Sequence, residues 1–138
     1  MEQAEHILQD LPCGCVVFDE VGTMTFVNRT LCSMLGYQPD LLLGQSIEKI
    51  LTISSRIFHQ THFFPLLKLN GAASEIFLTL KPSSGSPIPV MVNAKTQAEA
   101  DPVCYVCVFV PVWERRKYEE QLLEINRVQQ KALDENAC

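Results

Sequence analysis

The chain has 138 residues, 47% hydrophobic and 20% charged, with a formal net charge of −5. That length builds one core without metals or disulfides, and that composition excludes a disordered chain. An acidic balance with no basic stripe to offset it argues against nucleic acid as a partner.

The first segment, QAEHILQDL (3–11), spaces Ala4, Ile7, Leu8 and Leu11 along one helical face, and Pro12 stops it. Residues 1–12 therefore read as an amphipathic N-terminal helix, with no basic leader or apolar core of a secretory signal. CGCVVFD (13–19) reads as a strand, EVG (20–22) as a turn, and TMTFVN (23–28) as the returning arm of a hairpin. Asn28 stands where RTLCSMLGY needs an N-cap, and Gly36 stands where that helix would close in the left-handed region. QPDLLLGQSIEKIL continues with a short turn stopped by Gly44 and a third short helix opened by Ser46.

The longest internal helical stretch is SSRIFHQTHFFPLLKLNG (54–71), with Ser54 or Ser55 as cap and Asn70-Gly71 as close. Pro65 removes a backbone donor, so a bend or break is expected near 61–64. Three strands follow. SEIFLTLK (74–81) puts Ile76, Leu78 and Leu80 on one face, with Phe77 and Thr79 on the other. IPVMVNAKTQA (88–98) sets Ile88, Val90, Val92 and Ala94 against Met91, Asn93, Lys95 and Gln97. VCYVCVFVPV (103–112) is apolar on both faces, as a central strand covered on each side would be. The run PVCYVCVFVPVW (102–113) is too short to cross a bilayer as a helix, so a cytoplasmic setting is expected. The last segment, from Trp113, is a charged helix. Tyr118, Leu122, Ile125, Gln129 and Ala132 fall at alternating spacings of four and three, which is a heptad seam weakened by its glutamine and alanine. An ordinary amphipathic helix docked on its own sheet is the other reading of that run.

The order strand–strand, short helices, three strands, exit helix resembles the PAS domain, the sensory module of signalling proteins. The resemblance is carried by LPCG, the Asp19–Gly22 turn, Asn28, LGY at 35–37, the LLG before a short helix, and the paired strands around SSG. It implies an α+β PAS fold: a five-stranded antiparallel sheet with short helices on one face. Residues 1–12 would be an N-terminal helix, 13–112 the sensory core, and 113–138 a signalling helix leading to an effector. ERRKYEEQL resembles the exit helix of PAS modules in two-component histidine kinases, diguanylate cyclases and serine/threonine phosphatases. Many PAS modules carry an Asp-Ile-Thr-like stretch before that helix; here the positions read Pro111-Val112-Trp113.

Site candidates follow from position and bulk. Phe26, Phe58, His62, Phe63 and Phe77 are expected to line a pocket between sheet and helices, for a small molecule or none. His59 and His62, three apart, would share a helix face, and the resemblance makes either a haem candidate. The competing reading sets the histidines beside a core stripe of Ile57, Phe58, Phe63 and Leu67. A light-oxygen-voltage adduct needs a cysteine after Gly44, and QSIEKILTISSR has none; a non-covalent flavin stays open. Of the six cysteines (Cys13, Cys15, Cys32, Cys104, Cys107 and Cys138), buried free thiols are the expected state. Cys104-x-x-Cys107 has zinc half-site spacing, but residues three apart on a strand point to opposite faces. Cys13 and Cys15 could meet His59 and His62 only through the tertiary fold.

The expected function is a sensory module that homodimerises through its N-terminal and C-terminal helices and relays to a following effector. The rival readings are a ligand-free structural dimeriser and, more remotely, a Cys/His enzyme.

Overall fold

The computed structural model describes residues 2–112 and 121–131. Tyr118 and Ala132 of the heptad seam, and Cys138, lie outside the described residues. Helix α1 is Glu2–Gln9. Strands β1 (Gly14–Asp19) and β2 (Met24–Val27) form the expected hairpin. Its turn is held by the Asp19 carboxylate, which accepts from the Val21 and Thr23 amides, both at 3.0 Å.

Four short helical pieces then cross the sheet. They are α2 (Arg29–Leu35), α3 (Pro39–Leu42), a 3₁₀ turn (Ile47–Ile50), and a broken helix. That last piece is α4 (Ile53–Phe58), a π turn (His59–Phe63) and α5 (Phe64–Asn70). Asn28 caps α2 through its side chain, and Gly36 closes it at φ 76, as local chemistry demands. The α4 cap differs from expectation. The helix starts after Thr52, without a side-chain cap. Ser55 turns inward instead, and its hydroxyl oxygen accepts from the Thr79 amide at 2.8 Å.

β3 (Ala72–Leu80), β4 (Ile88–Gln97) and β5 (Cys104–Pro111) complete one antiparallel sheet in the order β2-β1-β5-β4-β3. β5, the most apolar strand, is central. Pairing and alternation assign the faces. Val16, Phe18, Leu78, Val90, Val92, Tyr105, Cys107 and Phe109 point to the helices and are buried. Against them pack Leu31, Leu35, Leu42, Ile50, Phe63 and Leu67.

The opposite face carries Val17, Phe26, Phe77, Met91, Val106, Val108 and Val110. Here the expectation that β5 is covered on both sides meets a difference. Helices cover its inner face, while on its outer face Val106 and Val108 are half-buried and Val110 is exposed. Helix α1 is tied down at its C-terminal end. Its ties run to the start of α2: Asn28 Nδ2 donates to the Leu8 carbonyl at 2.8 Å, Thr30 Oγ1 to that of Leu11 at 2.6 Å, and Arg29 pairs with Asp10 at 2.7 Å. Residues 121–131 are helical and exposed throughout. No helix among the described residues is long and apolar enough to cross a membrane.

Candidate functional site

The break in the long helix decides which side chains reach the sheet. Ser55, His59, Phe63 and Leu67 are its buried residues, spaced four apart. In a straight α-helix each such step overshoots a turn by about 40°, so four in a row would spiral off the core. A wider turn takes that overshoot back. The Phe64 amide donates to the His59 carbonyl, the i→i+5 bond of a π turn, which keeps all four inward. Pro65, with no amide to continue the ladder, lies just beyond it.

That turn reverses the expected roles of the histidines. His62 is exposed, its ring stacked on Phe58 at 5.3 Å and 10°, and its Nδ1 lies 2.7 Å from Thr61 Oγ1. His59 is the interior imidazole, only 4% exposed. It stacks on Phe64 at 5.4 Å and 16°, tilts against Phe63 at 5.7 Å, and meets the edge of Phe18 at 6.2 Å. Phe64 and Phe18 both contact Tyr105, at 5.2 Å and 5.5 Å. An aromatic cluster thus runs from the π turn through β1 to the central strand β5.

Of the five residues expected to line a pocket, Phe63 alone sits in the core, 2% exposed. Phe26 pairs with Val17 on the outer sheet face. Phe77 lies on that same outer face, on edge strand β3, 61% exposed. Phe58 and His62 stack together outside. The inner residues missed from the sequence were Phe18, Phe64 and Tyr105. The signal for the helix was its four-residue spacing of Ser55, His59, Phe63 and Leu67, combined with Pro65.

The edge of His59 opens on a cleft of about 250 Å³ between the β1–β2 turn, the 3₁₀ turn and the π turn. Val21, Ile47 and Phe64 give it an apolar wall; Ser46, Glu48 and Gln60 give it polar groups. Gln60 Nε2 donates to Glu48 Oε1. The His59 imidazole makes no hydrogen bond among the described residues. Burial pushes its pKa below the usual histidine range, while the Glu48 carboxylate pulls the other way. The neutral ring is therefore the state at neutral pH. A base with a depressed folded pKa gives full stability above the unfolded value, about 6.5, and loses it as pH falls, because the unfolded chain binds the proton more readily. His59→Gln should flatten that dependence. Its unfolding midpoint should drop less than the wild type's between about pH 7.5 and about pH 5.5; an equal or larger drop would contradict the assignment.

Four cysteines among the described residues lack the lowered pKa of a reactive thiol. Burial raises the pKa of Cys13, Cys15, Cys32 and Cys107, the reverse of what a thiolate nucleophile needs. None of these hydrogen-bonds to a histidine among the described residues. Cys104 and Cys107 point to opposite sheet faces. No group of three or more His, Cys, Asp or Glu among the described residues is placed to hold a metal ion.

A central β5 in a β2-β1-β5-β4-β3 antiparallel sheet, with short broken helices on one face, defines the PAS architecture. The chain belongs to the PAS fold family, whose model matches residues 2–112. It is thus a PAS module of the kind found in signalling proteins. Among characterised proteins it is similar to the phosphoserine phosphatase RsbP of Bacillus subtilis (strain 168), 40% identical over 116 residues. That match covers 84% of this chain and 29% of RsbP. Among solved structures it resembles the PAS domain of a Colwellia psychrerythraea protein, 11% identical with a TM-score of 0.73, covering 82% of this chain and 97% of that one. The PAS domain of an HTR-like protein from Haloarcula marismortui is 21% identical with a TM-score of 0.63, covering 80% and 89%. The last two likenesses concern the fold alone.

Proposed function

We propose that this chain is the sensory and dimerising module of a larger signalling protein whose effector is a phosphatase. One observation carries the sensory part: the aromatic cluster around His59 ends on Tyr105 of β5, the strand that leads in sequence to helix 121–131. A change at the cleft would repack Phe64, Phe18 and Tyr105, tilt β5, and reach the exit helix. Similarity to RsbP favours a phosphatase over a histidine kinase or a diguanylate cyclase as effector.

A cleft of about 250 Å³ lies below the ~300–1,000 Å³ usual for ligand pockets, which favours a small ligand over a haem or flavin at this place. The filled core, with Phe63 and Leu67 packed against the sheet, supports a second reading: a ligand-free module that only dimerises.

Homodimerisation draws support from exposed apolar residues on both terminal helices. These are Ile7 and Leu8 on α1, and Leu122 and Ile125 on the exit helix, where Gln129 continues the seam that Tyr118 and Ala132 would complete. Light scattering of the purified chain should give a dimer. A Leu122→Lys, Ile125→Lys double variant should keep the wild-type circular dichroism and dissociate at least about tenfold more readily, two charges on the seam costing more than ~1.4 kcal/mol. A monomeric wild type, or a double variant that dimerises equally well, would contradict dimerisation through the exit helix.

A further inference from the structure

Resting on the sensory reading, we infer that the cleft beside His59 binds a small cationic amine, a compact primary ammonium carrying a short apolar group. Three observations converge on it. First, His59 is buried, borders the cleft, and has no hydrogen-bond partner among the described residues, although a neutral imidazole carries one donor and one acceptor. A ligand at the cleft would give that ring a partner.

Second, the remaining polar lining is weighted toward acceptors and negative charge. Glu48 brings a carboxylate with one oxygen engaged by Gln60 Nε2, and the pairing leaves Gln60 its amide oxygen as an acceptor. The Glu48 main chain is fixed from behind, where Arg56 Nε donates to its carbonyl at 2.8 Å and Ser46 Oγ accepts from its amide at 3.2 Å. Among the described residues no lysine or arginine side chain lines the cleft, although Lys68 lies over the Phe64 ring at 4.2 Å, so Glu48 is the one carboxylate a ligand meets inside. A primary ammonium brings three N–H donors and the complementary charge. These match the Glu48 carboxylate, the Gln60 amide oxygen and the acceptor nitrogen of His59.

Third, size and the apolar wall set the rest of the ligand. About 250 Å³ is room for a molecule of only a few heavy atoms, since one water occupies about 30 Å³ of liquid. Val21, Ile47 and Phe64 would take a short alkyl group.

The test is a ¹H–¹⁵N NMR titration of the chain with propylammonium chloride. Tetramethylammonium, a cation without N–H donors, and sodium acetate serve as controls. The expected result is a saturable shift of the Gly22, Glu48, His59, Gln60 and Phe64 amides with propylammonium alone, weakened at least tenfold in Glu48→Gln and in Gln60→Ala. Gln60 is exposed, so its variant keeps the test open should Glu48→Gln fold poorly. No saturable shift at those amides, an equal response to either control, or binding indifferent to both variants would overturn the assignment. Residues 121–131 separate this from the relay. Amine binding with no response in that helix keeps the ligand class and sinks the relay. A helix response to His59→Gln without amine binding does the opposite.

Discussion

Asn28→Ala should cost this module about 3–5 kcal/mol, a large part of the stability of a domain this size, and loosen α1 from the core. Asn28 is fully buried and uses its whole hydrogen-bonding capacity. Its Oδ1 accepts from the Cys15 amide at 2.8 Å and the Leu31 amide at 2.9 Å. Its Nδ2 donates to the carbonyls of Leu8 at 2.8 Å and Cys13 at 3.1 Å. One side chain therefore joins the end of α1, the start of β1, the end of β2 and the first turn of α2. Removing it strands two buried amides, at about 1–3 kcal/mol each, and one of these is also a lost helix cap. Asn28→Asp is the sharper variant. It keeps both accepting bonds but turns a carboxylate oxygen toward two carbonyls, so α1 should detach while the sheet survives. Urea unfolding measures the first effect, and limited proteolysis within residues 2–12 the second. An alanine variant within about 1 kcal/mol of wild type would refute the role given to this residue.

Phe18→Ala should be of similar size, about 3–5 kcal/mol, and should also disconnect the site from the sheet. Phe18 is fully buried on the inner face of β1 and touches His59, Phe64 and Tyr105 at once. Its loss combines removed apolar area with a cavity that a close-packed core closes only in part. Phe18→Leu separates the two consequences. It refills most of the volume and should recover much of the stability, yet it removes the ring contacts. If the alanine variant unfolded at nearly the wild-type urea midpoint, the cluster would not be the centre of the core.

What could be read from the residues was whatever local chemistry decides. Asn28 and Gly36 were placed because a capping side chain and a left-handed close are needs of the helix ends themselves. The inward faces of β3 and β4 followed from alternation, as Leu78, Leu80, Val90 and Val92 are all buried. The pocket candidates rest on position and bulk, and alternation places two of them on the outer face. The alternation that turns Leu78 inward turns Phe77 outward, and Phe26 pairs with Val17 on the same outer face. The two histidines part for a different reason. Residues three apart share a face on an α-helix but diverge on the wider π turn, and His59 and His62 both lie within the π turn His59–Phe63.

Comparing amide spectra of His59→Gln and His62→Gln tests the coupling of the interior imidazole to the exit helix most directly. The two positions lie three residues apart, one in the core and one exposed. His59→Gln should move amides along Tyr105–Phe109 of β5 and through residues 121–131, and His62→Gln should perturb only its own turn. Shifts from His59→Gln confined to the cleft, or matched at residues 121–131 by His62→Gln, would contradict the relay.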